Sequence, residues 1–138
     1  MANGALDHRH MVVTAFVTRP PMTVEVGEDW LRRLVKLVGM EILMDANAIY
    51  CEDLGNEGVT GVVGLTTSHA SFHSWHDEEE PFINFDLYSC KDFSVVDVLK
   101  HINEFGAAKC NYMLIDRNGG TNRVVETGIH YFNQDLSK

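Results

Sequence analysis

Two amphipathic helical segments, each lying between β-rich segments, constrain the fold of this chain more than any other feature of its sequence. In EDWLRRLVKLVG (28–39) and SVVDVLKHINEFG (94–106), apolar residues recur at helical spacing and would form one stripe on each helix. Ser94 suits the N-cap of the second helix, and Gly39 and Gly106 suit the ends of the two helices. The stripes are Leu31, Leu34, Val35 and Val38 in the first helix, and Val95, Val98, Leu99 and Ile102 in the second.

The segments around these helices are typical of β-strands, because they are rich in β-branched and aromatic residues. They are HMVVTAFVT (10–18), MEILMDANAIY (40–50), VTGVVGLT (59–66), ASFHSW (70–75), FINFDLYSC (82–90), AKCNYMLID (108–116) and NRVVETGIHYF (122–132). RNGGT (117–121) predicts a turn between the last two strands. The order of elements indicates two β-α-β-β halves in a single domain of residues 1–138.

This order predicts an α+β fold, a two-layer sandwich with one mostly antiparallel sheet and both helices on one face. The other face of the sheet would then be uncovered. Since large apolar surfaces are seldom left exposed, we expect a homodimer or a binding surface there.

Composition limits the classes of partner. The 138 residues carry a net charge of −9, which argues against nucleic acid as a partner, because its phosphates attract Lys and Arg. Cys51, Cys90 and Cys110 have no CxxC spacing, so neither a disulfide framework nor a cysteine zinc site is expected. The sequence shows neither an apolar signal segment nor a long apolar run, so we expect no membrane association and a cytoplasmic location.

GLTTSHASFHSW (64–75) is the segment most suggestive of function, and the residues alone leave three interpretations open. His69, His73 and His76, with Asp77, could bind zinc, but strand alternation would put His76 on the other face, so no metal site is expected. The same side chains could form a polar strand face without a function. Alternatively, Ser68 could be a nucleophile that attacks the carbonyl group of the residue before it, with a nearby base and an oxyanion donor.

The third interpretation is supported by a family resemblance. GVTGVVGLTTSHASFHSW followed by FDLYSC resembles the GVSGVVxxxESHxxxHTW and DVYTC segments of prokaryotic S-adenosylmethionine decarboxylases, a pyruvoyl-dependent proenzyme family. RHMVVTAF near the N-terminus is similar to that family's opening GRHxLAxxY, so the resemblance covers roughly residues 8–105. It implies self-cleavage between Thr67 and Ser68, after which Ser68 becomes a pyruvoyl group.

The resemblance also implies the roles of individual residues. His73 matches the histidine that removes a proton during processing, and Thr60 stands where the family has a serine whose hydroxyl assists. Cys90 matches the cysteine that protonates the substrate carbon after CO2 leaves. Trp75 matches an aromatic residue of the motif, while Cys51 and Cys110 match no motif position. A pyruvoyl group formed from Ser68 would be the electron sink, so neither PLP nor a metal is required.

One residue departs from the family pattern. Thr67 stands where the family has glutamate, next to the bond to be cleaved. Three functions therefore stay open. The chain could decarboxylate S-adenosylmethionine for polyamine synthesis, or apply the same chemistry to another amino acid such as arginine or ornithine. It could also be an unprocessed homologue that binds a ligand or a partner without catalysis.

Overall fold

The computed structural model describes residues 7–132, which contain seven strands and two α-helices. The strands are β1 (Arg9–Val17), β2 (Ile42–Cys51), β3 (Gly58–Leu65), β4 (Ser68–Trp75), β5 (Phe82–Ser89), β6 (Ala107–Asp116) and β7 (Arg123–Tyr131). The helices are α1 (Val24–Leu37) and α2 (Val95–Ile102). Each of the seven predicted strands and both predicted helices is therefore present.

Helix α1 begins at Val24, four residues before Glu28, the first residue of the predicted helical segment. The reason is Thr23, whose hydroxyl oxygen accepts a hydrogen bond from the Val26 amide at 3.2 Å and so caps the first turn. Helix α2 has the predicted cap, since the Ser94 hydroxyl accepts from the Asp97 amide at 3.1 Å. Gly106 follows the short 3₁₀ turn after α2 with φ +73°, a backbone conformation that favours glycine.

The seven strands form one antiparallel sheet in the order β2-β3-β4-β5-β1-β6-β7. The second half of the chain is β5-α2-β6-β7, as predicted. The first half is β1-α1-β2-β3 with β4 as a further strand. Because β1 and β5 pair with each other, the first strands of the two halves lie side by side near the middle of the sheet.

Both helices cover the same face of the sheet, which confirms the predicted sandwich. The ring of Trp30 in α1 stacks on that of His101 in α2, with ring centroids 4.5 Å apart. The indole N–H of Trp30 donates to the carbonyl oxygen of His101 at 3.1 Å, and His101 Nε2 bonds to the Trp30 carbonyl oxygen at 2.9 Å. Neither helix in the described part of the chain is long and apolar enough to span a membrane.

The opposite face, which we call the open face, carries the polar side chains. Along β4 the buried residues Ala70, Phe72 and Ser74 point toward the helices, so the intervening residues point away from them. The same alternation along β1 buries Met11, Val13 and Ala15. The open face therefore displays the polar residues His10 and Thr14 from β1, His69, Ser71 and His73 from β4, and Asn84, Asp86 and Tyr88 from β5.

Candidate functional site

Ser68 has the most unusual backbone conformation of the described residues. It is the first residue of β4 and has φ 147°, the only positive φ among the described residues other than glycine. Such a conformation costs an L-residue on the order of 1–3 kcal/mol and occurs often at functional sites. The bond between Thr67 and Ser68, which the sequence predicts to be cleaved, therefore lies at a strained point of the chain.

The carbonyl group of this bond has a well-placed hydrogen-bond donor. The backbone N–H of Cys90 donates to the Thr67 carbonyl oxygen at 3.0 Å. Ser68 pairs with Ser89 in the β4–β5 register, which brings Cys90 beside Ser68 as predicted from the order of the two motifs. The thiol of Cys90 is free and half-buried.

Thr67, at the position where the family resemblance predicts a glutamate, has a short and neutral side chain. Its hydroxyl oxygen is buried and has no hydrogen-bond partner among the described residues. A buried polar group without a partner costs about 1–3 kcal/mol, so this hydroxyl is available to a group that enters the site.

Thr60 and His73 form a second pair. They lie opposite each other in the β3–β4 register, and Thr60 Oγ1 forms a short hydrogen bond with His73 Nδ1. Burial lowers the pKa of His73, so the imidazole is neutral near pH 7. His73 Nε2 is buried without a partner in the described part of the chain. If Nδ1–H donates to Thr60, Nε2 keeps a free lone pair, as a general base requires.

Within one chain, the Thr60–His73 pair lies far from Ser68 and its neighbour Cys90. Ser68 and His73 are five residues apart on the same extended strand, and at about 3.3 Å per residue this is roughly 16 Å. A proton transfer needs contact at about 3 Å or through one water molecule. Within one chain, therefore, neither His73 nor its partner Thr60 lies within reach of Ser68. Each strand pairing forms as expected, but the two pairs lie near opposite ends of β4.

A groove of about 680 Å³ lies on the open face next to the Thr60–His73 pair. Polar side chains that line it include Thr14, Asn84 and Asp86, and Thr14 donates to Asn84 Oδ1 at 2.7 Å. At one end of this face the Trp75 ring stacks on Phe82 with centroids 4.6 Å apart. Asn84 and Asp86 were not predicted as site residues, although the alternation in FINFDLYS could have placed them on one face.

Among residues 7–132, no group of histidines, cysteines and carboxylates that could hold a cation includes His73. His76 bonds through Nε2 to the Tyr50 hydroxyl at 2.6 Å, away from His69. Burial raises the pKa of Cys110 to about 11, so its thiol stays protonated. Cys51 lies in β2 and Cys110 in β6, as expected of strand cysteines without a motif position.

Comparisons with known proteins point to one family. The model of the family described as S-adenosylmethionine decarboxylase matches residues 22–118. The S-adenosylmethionine decarboxylase proenzyme of Archaeoglobus fulgidus is 28% identical over 90 residues, which are 64% of this chain and 76% of that protein. The crystal structure of the adenosylmethionine decarboxylase from Aquifex aeolicus matches with a TM-score of 0.64 and 21% identity, over 86% of this chain and 98% of that one. At this identity, the structural match establishes the fold alone.

Proposed function

Since the chain belongs to the S-adenosylmethionine decarboxylase family, we propose that it is a proenzyme that cleaves itself before Ser68 and then decarboxylates S-adenosylmethionine. The observation that carries the proposal is the Thr67–Ser68 bond, with a strained serine on one side and a hydrogen-bonded carbonyl group on the other. The product, decarboxylated S-adenosylmethionine, would supply polyamine synthesis.

Cleavage begins with attack of Ser68 Oγ on the carbonyl carbon of Thr67. The C–N bond breaks, the acyl group moves from nitrogen to oxygen, and an ester results. During this step negative charge develops on the Thr67 carbonyl oxygen, which the Cys90 N–H stabilises from 3.0 Å away. Removal of the Ser68 Cα proton then eliminates the Thr67 carboxylate, and water replaces the nitrogen of residue 68, which leaves as ammonia.

The elimination needs a base at the Ser68 Cα, and His73 is the proposed base. Because His73 of the same chain lies roughly 16 Å away along β4, a second copy of the chain supplies it. A homodimer that packs open face against open face would also cover apolar side chains of that face. Ile49 is 68% exposed and Val62 44% exposed, and both lie next to Thr60 on the open face.

The pyruvoyl group formed from Ser68 supplies the electron sink for the bond that loses CO2. After CO2 leaves, the substrate carbon needs a proton, and the Cys90 thiol is the proposed acid, since Cys90 follows Ser89, the partner of Ser68. A thiol that donates a proton in each cycle has to stay reduced, which favours the cytoplasm as the location.

Thr67 supports a second candidate, the same chemistry on another amino acid. A neutral hydroxyl stands where the family resemblance predicts a carboxylate beside the cleaved bond, and that hydroxyl has no partner in the described chain. Restoring the carboxylate in Thr67→Glu separates the candidates. If Thr67 redirects the site, the variant gains turnover of S-adenosylmethionine and loses turnover of arginine or ornithine.

Release of labelled CO2 tests the proposed reaction directly. Carboxyl-labelled S-adenosylmethionine, arginine and ornithine are each incubated with the wild-type protein and with Ser68→Ala. The proposal predicts release from S-adenosylmethionine by the wild type and none by Ser68→Ala. Release from another amino acid alone would favour the second candidate. Equal background release by both proteins from all three substrates would indicate a homologue without catalysis.

A further inference from the structure

Two histidines and an aspartate converge on the open face, outside the groups assigned to cleavage. His10 of β1, His69 of β4 and Asp86 of β5 are all half-buried, and one ligand atom from each lies within 4.8 Å of the other two. His10 Nε2 is 2.8 Å from Asp86 Oδ2, and His69 Nε2 is 3.3 Å from the same oxygen. Three different strands supply these residues, so the pairing of β1 and β4 with β5 brings them together.

We propose that these three side chains bind a divalent cation of the zinc class. Imidazole nitrogen and carboxylate oxygen bind zinc at about 2.0–2.2 Å, which separates tetrahedral ligands by about 3.3–3.5 Å. The two separations between imidazole nitrogen and Asp86 Oδ2, 2.8 Å and 3.3 Å, lie near this spacing, and the nitrogens of the two histidines lie within 4.8 Å of each other. This set differs from that of His69, His73 and His76, which strand alternation separates. It does not depend on the proposed reaction, for which no metal is invoked.

The surroundings of Asp86 suit a carboxylate that binds a cation. The Ser71 hydroxyl forms a short hydrogen bond with Asp86 Oδ1, which leaves Oδ2 directed at the two histidines. A hydroxyl that orients a ligating carboxylate is a common outer contact of metal sites.

Arg117 should weaken binding of the cation, so its replacement should strengthen binding. Its Nη1 lies 3.4 Å from His10 Nδ1, and the guanidinium group lies 4.5 Å from the Tyr88 ring centroid. Arginine only donates, so this contact favours the His10 tautomer that carries its proton on Nε2. A cation at Nε2 needs the opposite tautomer, with the proton on Nδ1. Arg117→Gln, whose amide oxygen can accept from Nδ1–H, should therefore bind the cation more tightly.

Co²⁺ titration of the full chain, purified without a histidine tag and treated with a chelator, tests the proposal. Tetrahedral Co²⁺ absorbs visible light strongly, and Zn²⁺ should displace it. The wild type should show saturable absorption at one Co²⁺ per chain. Asp86→Asn and His69→Gln should abolish this absorption, and Ser71→Ala should weaken binding about 10–100-fold. Arg117→Gln should strengthen it. His130→Gln, which removes an exposed histidine of β7, is the matched control and should bind like the wild type.

Thermal unfolding without metal checks that each variant is folded. Absence of saturable Co²⁺ absorption in the wild type would overturn the proposal and leave a hydrogen-bonded cluster without a cation. Unchanged binding in a folded Asp86→Asn or His69→Gln variant, or loss of binding in His130→Gln, would place the cation elsewhere and would also overturn it. If a ligand variant fails to fold, weaker or unchanged binding in Arg117→Gln contradicts the proposed geometry independently.

Discussion

If His73 acts on the Ser68 of a second chain, two variants that cannot cleave alone should recover self-cleavage when they are mixed. Ser68→Ala removes the nucleophile and keeps Thr60 and His73, whereas His73→Ala keeps the nucleophile and removes the base. The separation of roughly 16 Å along β4 exceeds the reach of any proton transfer within one chain. Each variant alone should therefore stay whole, while a heterodimer contains one complete site.

The expected yield follows from random pairing. When equal amounts of the two variants assemble into dimers, about half of all dimers are mixed. In each mixed dimer only the His73→Ala chain has an intact Ser68, and its partner offers an intact His73. About half of the His73→Ala chains, or about a quarter of all chains, should be cleaved. Co-expression with two different affinity tags, followed by intact mass measurement, gives both fractions.

His76→Ala is the control, because it removes a histidine just beyond β4 that bonds to Tyr50 and not to Thr60. It should cleave by itself. Two results would contradict catalysis by His73 between chains. If the mixture stays whole although mixed dimers are recovered, His73 does not act between chains. If His73→Ala alone cleaves at the wild-type rate, His73 is not the base.

Three further predictions concern turnover, pH and packing. Cys90→Ala should still cleave before Ser68 but lose about 10²–10⁴-fold in decarboxylation rate, since one general acid is removed; full activity in a CO2-release assay would contradict its role. Burial lowers the pKa of His73 from 6.5, so its imidazole stays neutral below that pH. The cleavage rate should therefore be constant from about pH 8 to 6.5 and fall only in more acidic buffer. A fall centred above pH 6.5 would contradict this. Gly61→Ala should lower the free energy of unfolding by about 1–3 kcal/mol in urea titration, because the added Cβ would lie 2.7 Å from the Phe72 ring. Combining it with Phe72→Leu should relieve part of that cost. If the losses of the two single variants simply add in the double variant, the contact is not its cause.

The helices and strands were readable from the sequence because they depend on local patterns. The two apolar stripes predicted α1 and α2, and the Ser94 cap was recognisable from one residue. The start of α1 was wrong by four residues, because Thr23 caps the helix before the stripe begins. Such a cap depends on one hydrogen bond, which the spacing of apolar residues does not reveal.

The arrangement of the candidate site was harder to predict from the sequence, because it depends on pairing between distant segments. The motif order predicted that Cys90 lies beside Ser68, and the β4–β5 register bears this out. The resemblance supplied Ser68 and His73 together and gave no sign that a single strand holds them apart. His10 and Asp86 are 76 residues apart in the sequence, and only the β1–β5 pairing joins them.

Whether the chain cleaves itself can be read from the intact mass of the purified wild-type protein. Self-cleavage should give two fragments, residues 1–67 ending in a free carboxylate and residues 68–138 beginning with a pyruvoyl group and resistant to Edman sequencing. Ser68→Ala should give one uncut chain under the same conditions. A wild-type chain that stays whole after long incubation, at neutral pH and as a verified dimer, would contradict self-cleavage and with it the proposed enzyme.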